Sequence, residues 1–232
     1  MNSGKLSRRL ESVAAFIPAG TVLADIGSDH AYLPVFCVKG GSVTAAVAGE
    51  VAEGPYHSAQ KQVEKAGLAG KISVRKGDGL EILAPGEAGC ITIAGMGGPL
   101  IASILDRGKA KLNGKETLIL QPNTGSHIVR GWLAENGWAI TGEDILEEDG
   151  KIYEIIAAEY AGALVALTEA ERLVGPVLIK NQNEAFRKKW RNEIKKWQSV
   201  LSHLEQAGAS PEIEEKKRVY RHLIALAEEV LT

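Results

Sequence analysis

Short apolar runs alternate with segments of helical periodicity along the N-terminal part of the chain. Five such runs, each about the length of one buried strand, occupy residues 21–25, 43–48, 72–75, 90–94 and 118–120. This alternation predicts a parallel sheet wrapped by helices. Two further β-rich runs within residues 138–160 flank Asp149-Gly150, a turn signal typical of a two-residue hairpin. We therefore expect an α/β fold, a doubly wound sheet with an antiparallel hairpin at one edge.

The pattern changes towards the C-terminus. Apolar side chains recur at steps of three and four over residues 186–204 and again over 213–230, which predicts two long helices, each with one apolar stripe. The intervening Gly208-Ala209-Ser210-Pro211 offers a Gly to end the first helix, a Ser to cap the second and a Pro for its first position. The predicted division is an α/β domain over residues 1–162 and a small helical hairpin over residues 163–232.

Composition places the chain among globular proteins. Of its 232 residues, 45% are hydrophobic and 24% are charged, and no segment has the length and apolarity to span a bilayer. Residues 5–17 have helical spacing with charged residues interspersed, which argues against a signal peptide. Cys37 and Cys90 fall in a predicted helix and a predicted strand, as packing residues of a reducing compartment would. We expect a cytoplasmic protein with no membrane segment and no metal site.

Basic residues are concentrated in the predicted helical hairpin. The whole chain has a net charge of -2, which gives no general argument for binding nucleic acid. Within residues 180–197, however, seven basic and two acidic residues leave a local charge of seven minus two, or +5, and such a face can follow a phosphate backbone. The alternative to RNA binding is that these basic residues form a solvated helix face whose charge is balanced by acidic residues on the second helix. Trp190 and Trp197 lie on the apolar stripe, so we expect them in the core.

A strand, a glycine turn and a helix are predicted over Asp25-Ile26-Gly27-Ser28-Asp29-His30-Ala31, where a doubly wound fold usually binds a nucleotide-like ligand. A dinucleotide site would need glycines where this sequence has Asp29 and Tyr32, and a carboxylate there would repel a pyrophosphate. S-adenosylmethionine instead carries a sulfonium and an ammonium group, which Asp25 and Asp29 would attract. The charges favour S-adenosylmethionine as the cofactor, held also by Gly27, Ser28 and His30.

Acidic residues also follow the second and third predicted strands. Glu50 comes 23 positions after Gly27 and could accept hydrogen bonds from both hydroxyls of a ribose. Asp78 could accept one from an adenine amine, while Gly79 would let the backbone approach the ring. Each residue has an ordinary alternative, because glycine suits any tight turn and acidic residues suit any solvated loop. Three acidic groups at three successive strand ends nevertheless predict one cofactor site.

Several strings of residues match those of a known family. They are Leu6-Ser7-Arg8-Arg9-Leu10, Ala24-Asp25-Ile26-Gly27-Ser28-Asp29-His30-Ala31-Tyr32-Leu33-Pro34, Gly49-Glu50, Gly77-Asp78-Gly79-Leu80, Ile93-Ala94-Gly95-Met96-Gly97-Gly98, Leu120-Gln121-Pro122-Asn123 and, weakly, Gly175-Pro176. With these motifs the chain resembles the bacterial tRNA (adenine(22)-N(1))-methyltransferases, usually called TrmK, over most of its length. The resemblance implies a Rossmann-like class I methyltransferase domain with a coiled-coil-like C-terminal domain. It also implies methyl transfer from S-adenosylmethionine to N1 of adenine 22 in tRNA.

Two residues of the first turn are the candidates for catalysis. Adenine N1 has an in-plane lone pair and can attack a methyl group directly, so the protein mainly supplies alignment and a suitable field. Asp29 is the first candidate to position the N6 amine or accept its proton, and His30 is the second. The alternative for His30 is a helix-start residue bonded to backbone. Neither cysteine lies in an expected catalytic loop, so no covalent nucleophile is predicted.

The expected substrate contacts fall into two groups. Near the target base we expect Tyr32, Met96, Gly97, Gly98 and Asn123, with Gly95 beside the cofactor. The alternatives are that Tyr32 is a packing residue, that residues 95–98 are only a helix-entry turn, and that Asn123 is a helix cap. Further away we expect RNA contacts at Arg8, Arg9, Arg187, Lys188, Lys189 and Arg191.

Three other functions are compatible with parts of this pattern. One is a methyltransferase of the same fold that acts on ribosomal RNA, a small molecule or a protein. Another is a non-catalytic module that binds RNA through the helical hairpin and keeps the α/β domain as a scaffold. The third is a nicotinamide-dependent dehydrogenase, against which Asp29 and Tyr32 argue.

Overall fold

The computed structural model describes residues 5–206 and 210–232, within which seven strands form one sheet. The strands are β1 (Val22–Ile26), β2 (Ala45–Glu50), β3 (Ile72–Lys76), β4 (Cys90–Gly97), β5 (Thr117–Thr124), β6 (Trp138–Glu148) and β7 (Lys151–Tyr160). Their order across the sheet is β3-β2-β1-β4-β5-β7-β6. The first five run parallel, whereas β7 is antiparallel to both β5 and β6. The predicted doubly wound sheet with an antiparallel edge hairpin is confirmed.

Helices cover both faces of this sheet. They are α1 (Arg8–Ala15), α2 (Tyr32–Lys39), α3 (Glu53–Lys65), α4 (Gly98–Arg107), α5 (Ser126–Glu135), α6 (Glu169–Val174), α7 (Glu184–Gln206) and α8 (Pro211–Leu231). The buried side chains of α1, α2 and α3 form one core with the sheet, and those of α4 and α5 form another on the opposite face. Cys37 and Cys90 are both buried in the first core, as predicted for packing residues. No helix of the described chain combines the length and apolarity needed to cross a membrane.

The β6–β7 hairpin has the predicted turn and an additional role. Asp149 and Gly150 have φ values of 50° and 73°, the left-handed pair that suits the twist of a two-residue hairpin. Next to the turn, the Glu148 carboxylate accepts the backbone N–H groups of Arg8 and Arg9 at 2.7 and 3.1 Å. Free N–H groups at a helix start need such acceptors, so the hairpin tip fixes the start of α1.

The fourth strand is longer than the apolar run predicted. It extends past Ala94 to Gly97, with register shifts against β5 on both sides of Met96. Gly95 has a φ of 79° there, a conformation that costs glycine little. Gly95 to Gly97 therefore belong to an irregular strand end, and the helix-entry turn expected of the glycines is confined to Gly97 and Gly98 at the start of α4.

The C-terminal helices form the predicted hairpin. Gln182 Nε2 donates to Val230 O at 2.6 Å at one end, and Arg221 pairs with Glu205 at the other, so α7 and α8 run antiparallel. Ser210 caps α8 through its hydroxyl, which accepts from the backbone N–H of Ile213, and Pro211 is its first residue. The Gly208 predicted to end the preceding helix lies outside the described residues.

Helix α6 was absent from the sequence-based expectation. It is a short helix that begins at a complete capping box, in which Thr168 and Glu171 each accept the backbone N–H of the other. The Thr-x-x-Glu spacing is a known start signal. It stands here before a helix of only six residues, too short for an apolar period to be visible.

A buried ion cluster attaches these C-terminal helices to the sheet. Arg130 of α5 is fully buried and donates to Glu143 of β6 at 2.7 Å and to Glu154 of β7 at 2.8 Å. Its third donor reaches Leu173 O in α6 at 3.1 Å. Lys189 of α7 makes an ion pair with Glu154. Since every member has an oppositely charged partner, the cluster holds the helices against the sheet without leaving an uncompensated charge.

Candidate active site

A cavity of about 590 Å³ lies at the carboxyl ends of β1 and β4, where the strand order reverses. Ligands of doubly wound folds bind at this kind of switch point. Most of the residues predicted near the cofactor or the target base line it, together with one of the predicted RNA contacts. They are Arg9, Asp25, Gly27, Ser28, Asp29, His30, Tyr32, Gly95, Met96 and Asn123. The other lining residues, which were not predicted to lie at the site, are Leu10, Leu33, Ala94 and Tyr153.

The turn after β1 carries an unusual backbone. Gly27 has a φ of 69°, and a side chain at this position would overlap the end of Met96. Asp29, His30 and Ala31 then have φ values of 41°, 68° and 54°, a left-handed run that is unfavourable for residues other than glycine. Such strain costs roughly 1–3 kcal/mol per residue and is concentrated at functional sites. Helix α2 begins directly after it, so the turn places two polar side chains at the cavity.

Asp25 is a buried carboxylate at the end of β1. It accepts the Ser28 hydroxyl at 2.5 Å and the Thr92 hydroxyl at 2.6 Å. Burial raises its pKa above the usual value, and the two hydroxyl donors and Arg9 only partly offset that rise. No cation pairs with it directly among the described residues. A cationic group entering the cavity would stabilise its charged form, which fits the ammonium and sulfonium of S-adenosylmethionine.

Glu50 lies behind the strained turn. One carboxylate oxygen accepts the backbone N–H of Asp29 at 2.5 Å, so Glu50 supports the turn directly. Burial raises the pKa of Glu50, and the nearby charge of Asp25 raises it further. The predicted contact with a ribose can use only the remaining acceptor positions of this side chain.

Asp78 and Gly79 lie apart from the main cavity. They line a separate depression of about 60 Å³ with Arg107, which pairs with the Asp78 carboxylate at 2.6 Å. Gly79 has a φ of 57° and packs against Ile104. A contact between Asp78 and an adenine amine therefore stays a prediction, and it requires the carboxylate to share or leave Arg107.

The glycine-rich segment after β4 divides into two parts. Gly95 and Met96 line the cavity. Gly97 is the N-cap of α4, and Gly98 is buried where its Cα faces the backbone of Gly125, so close that a methyl group would overlap the Gly125 carbonyl. Gly97 and Gly98 thus shape the loop, and direct contact of these two residues with substrate stays a prediction.

Gln121 is a site residue that the sequence analysis missed. It is fully buried in β5, where its Oε1 accepts Arg9 Nη1 at 2.5 Å and the Gly95 N–H at 3.0 Å. Its Nε2 donates to Asn123 Oδ1 at 3.2 Å, while Asn123 Nδ2 donates to Gly95 O at 2.7 Å. Asn123 is therefore tied to the Gly95 loop, and the alternative of a helix cap is wrong because Gly125 is the N-cap of α5. This network fixes the far wall of the cavity.

Arg9 and Asp29 bring opposite charges to the lining of the cavity. The Arg9 guanidinium lies 5.5 Å from the centre of the Tyr153 ring, a second residue that the sequence analysis missed. The Asp29 side chain is 86% exposed, and His30 Nε2 is 3.6 Å from its Oδ1. The ring centres of His30 and Tyr32 are 5.5 Å apart. A carboxylate, an imidazole and a phenol therefore border the same opening, where a planar base could meet them.

The predicted RNA contacts on α7 differ in their surroundings. Lys188 pairs with Glu147 at 2.7 Å and Lys189 with Glu154, so both are tied to the β6–β7 hairpin. Arg187 and Arg191 are exposed on the same helix, and neither has an ion-pair partner among the described residues. Arg8, on α1, is exposed and donates to Glu147 O at 3.2 Å. RNA contact at these five residues stays a prediction.

The two thiols are unsuited to covalent catalysis. Burial raises the pKa of Cys37 to about 11 and raises that of Cys90 even more strongly. Only the thiolate is a nucleophile, and neither residue lines the cavity. Within the described residues, no group of three or more histidine, cysteine or acidic side chains is arranged to hold a metal ion.

The sheet order and the acidic cavity at the switch point are those of a class I methyltransferase, a Rossmann-like fold. Within that class the chain belongs to the tRNA (adenine(22)-N(1))-methyltransferase family, usually called TrmK, whose model matches residues 23–229. It is 49% identical over 235 residues to the Bacillus subtilis (strain 168) enzyme of that name, covering 100% of this chain and 99% of the relative.

Solved structures agree with this assignment. The crystal structure of the Bacillus subtilis enzyme has a TM-score of 0.94 at 48% identity, with 98% of this chain and 99% of that chain covered. A Streptococcus pneumoniae relative, solved in complex with S-adenosyl-L-methionine, has a TM-score of 0.84 at 43% identity, with 98% and 100% covered. The predicted family and fold class are confirmed.

Proposed function

We propose that the protein transfers a methyl group from S-adenosylmethionine to N1 of adenine 22 in tRNA, in the cytoplasm. The observation that carries this proposal is the 590 Å³ cavity at the β1–β4 switch point, lined by Asp25 and Asp29, in a chain of this family. The Bacillus subtilis relative bears the name of the same reaction. The Streptococcus pneumoniae relative was solved with the cofactor bound.

The cofactor would be held mainly by the end of β1 and the turn that follows. Asp25 and Ser28 lie at the base of the cavity, Gly27 allows close approach of the backbone, and Glu50 holds the turn from behind. When bound, S-adenosylmethionine supplies an electrophilic methyl group on a positively charged sulfur. The buried, uncompensated carboxylate of Asp25 favours a ligand of that charge.

The target adenine would enter between Asp29 and Asn123. Its N1 lone pair would form the new bond to the methyl carbon as the bond from sulfur to that carbon breaks. The bonding pair would stay on the sulfur, which is left as a neutral thioether, and the positive charge would pass to the adenine ring. The Asp29 carboxylate would stabilise that charge and accept a hydrogen bond from the N6 amine. His30 Nε2, 3.6 Å from Asp29 Oδ1, would carry an N6 proton from Asp29 to solvent when the ring gives up its positive charge. Tyr32 and Met96 line the cavity and would pack against the base. Asn123 would offer the hydrogen-bonding positions that its bonds to Gln121 and Gly95 leave free.

The helices beyond residue 163 would hold the rest of the tRNA. N1 lies on the pairing edge of adenine, so the base must leave its partner, at a cost of a few kcal/mol. Exposed Arg187 and Arg191 can bind the phosphates of the opened RNA. The salt dependence of tRNA binding tests this: each lost phosphate contact lowers the slope against salt by about one.

The experiment that tests the proposed function is methylation of unmodified tRNA with labelled S-adenosylmethionine, followed by mapping of the modified nucleotide. Label at N1 of adenine 22 supports the proposal. Label in ribosomal RNA, in a small molecule or in protein assigns the fold to another acceptor. Cofactor binding without transfer to any acceptor leaves an RNA-binding module.

Asp29→Asn tests the catalytic assignment. We expect kcat/KM for tRNA to fall by about 100-fold or more, because the charge that stabilises the methylated base is lost. Asparagine tolerates positive φ, so the turn keeps its shape. The matched control is Asp149→Asn in the hairpin turn, which has a similar positive φ of 50° and lies outside the cavity. Equal activity in the two variants would remove Asp29 from the mechanism.

A further inference from the structure

A second cavity, of about 520 Å³, lies between the end of β5 and the face of α7. Asn123 lines both this cavity and the candidate active site, so the two are neighbours across the end of one strand. Its volume falls within the ~300–1,000 Å³ typical of small-ligand sites. None of the functions proposed above for the active site uses this space.

The cavity has aromatic and aliphatic walls. Trp190 and Trp197 of α7 line it with their ring centres 6.2 Å apart and their planes tilted by 48°. Leu173 and Leu223 add aliphatic surface from α6 and α8. The sequence-based expectation that both tryptophans are core residues holds for Trp190, which is 3% exposed, whereas Trp197 is only partly buried. Since Trp190 is nearly fully buried, the accessible aromatic wall is mainly that of Trp197, and an apolar ring surface of this kind favours a flat aromatic ligand.

The Trp190 indole adds a directional requirement. Its Nε1–H is buried and has no hydrogen-bond partner among the described residues. Buried N–H groups are nearly always paired, and an indole can only donate. A ligand that supplies an acceptor at the edge of a flat ring would satisfy this group, and nucleobases carry ring nitrogens and carbonyl oxygens at their edges.

The second cavity has a basic residue at its rim, while the charged groups inside it are paired or neutral. Lys189 is tied to Glu154. Partial burial lowers the pKa of His127, and Arg130 and Arg172 lower it further, so its ring is neutral near pH 7. The exposed Lys196 stands at the opening, 3.7 Å from Glu193, with Arg191 on the same helix. A neutral interior with a basic opening suits a base whose phosphates remain outside.

We infer that this cavity binds a second unpaired nucleobase of the RNA, while the target adenine occupies the first cavity. The inference rests on the proposed function, and it adds that two bases leave the RNA stack on binding. The end of β5, with Asn123, separates them, and Trp190 donates its indole N–H to the second base. Base–aromatic stacking tolerates different bases, so the site recognises an unpaired base rather than one particular sequence.

Trp190→Phe tests this site because it removes the N–H and keeps an aromatic ring. We expect KM for tRNA to rise by roughly tenfold, the effect of one lost hydrogen bond of about 1.4 kcal/mol. The kcat at saturating tRNA and the Kd for S-adenosylmethionine should stay close to wild type. The melting temperature should fall by a few degrees, because a buried ring becomes smaller. The matched control is Trp138→Phe, a buried tryptophan of β6 that lies outside both cavities and should leave KM unchanged.

A spectroscopic measurement reports on the same group without relying on turnover. In protein labelled with 15N at tryptophan, the Trp190 indole signal, assigned with Trp190→Phe, should shift when unmodified tRNA is added. The indole of Trp132 already donates to Asp106 at 3.2 Å and should not move. An unmoved Trp190 signal in a complex that forms by gel shift, or a KM unchanged in Trp190→Phe, overturns the inference. If the wild type binds tRNA but methylates another acceptor, the proposed function fails while the signal still tests the cavity.

Discussion

Buried carboxylates occur in two regions of this molecule, and their surroundings are opposite. Between α5, the hairpin and α7, Glu143 and Glu154 accept from Arg130, and Lys189 adds a second cation. At the end of β1, Asp25 has only hydroxyl donors. The pKa values follow: despite burial, Arg130 and Lys189 hold the pKa of Glu154 at about 2, whereas burial raises that of Asp25.

This difference separates structural charge from functional charge. A buried ion pair that is complete holds its elements together, and removing one partner is costly. A buried carboxylate without a cation raises the free energy of the protein in the absence of ligand. Binding of a cationic ligand offsets that cost. The Arg130 cluster has all its partners within the chain, whereas Asp25 gains one only when the cofactor binds.

Breaking the complete cluster should have the largest effect. Among the residues that the structure describes, Arg130→Met leaves Lys189 as the only cation paired with the two buried glutamates. We expect the free energy of unfolding to fall by about 3–5 kcal/mol. Urea denaturation followed by circular dichroism measures it. The matched control is Arg218→Met, which breaks an exposed pair with Glu215 on α8 and should leave the transition unchanged. A similar small change in both variants would mean that the buried cluster contributes little.

Neutralising the incomplete site should affect binding more than stability. Asp25→Asn removes a charge that burial disfavours, and rotation of the Ser28 and Thr92 hydroxyls can restore their hydrogen bonds. We expect the free energy of unfolding to change by less than about 1 kcal/mol. The Kd for S-adenosylmethionine, measured by calorimetry, should rise by at least about tenfold, or roughly 1.4 kcal/mol. A large loss of stability with unchanged cofactor affinity would make Asp25 a structural residue.

The two regions should also differ in the sign of their pH dependence. Folded Glu154 takes up its proton only near pH 2, whereas an unfolded glutamate does so near pH 4.5. Its contribution is therefore present above about pH 4.5 and is lost as pH falls towards 2. The stability gap between wild type and Glu154→Gln should close over that window in denaturation experiments. Asp25, with its raised pKa, contributes the opposite trend. Burial of its charge costs stability at higher pH, and that cost disappears as pH falls below the unfolded value of 3.8, so wild type should gain stability relative to Asp25→Asn.

The sequence predicts the sheet well because each strand has its own local signal. The apolar runs, the Asp149-Gly150 turn and the Ser210-Pro211 helix start are all visible within a few residues. The extension of β4 to Gly97 has no such local signal, because this irregular strand end depends on pairing with the distant strand β5. The short α6 was missed although its capping box is legible at Thr168 and Glu171.

The candidate site divides in the same way. Asp25 at the end of the first strand and Asp29 in the turn after it follow from their positions in the sequence, and both line the cavity. The role of Gln121 in the site could not be predicted, because its partner Arg9 lies 112 residues earlier. A glutamine within an apolar strand carries no local pattern that identifies its hydrogen-bond partner. Asp78 has the strand-end position and the negative charge expected of a cofactor-binding residue, yet Arg107 of α4 pairs with it. Pairings between distant segments decide which polar residues stay available, and local patterns do not contain them.

The contact of Gly98 with the Gly125 carbonyl limits how this protein can be re-engineered. The segments after β4 and β5 touch through bare backbone. Position 98 has no room for a side chain, and position 125 has a φ of 73°, which favours glycine. A chimaera that imports one segment from a relative with a bulkier residue there must import the other as well. In recombination between relatives, the segments around Gly98 and Gly125 should therefore be exchanged together, although they are separate in the sequence.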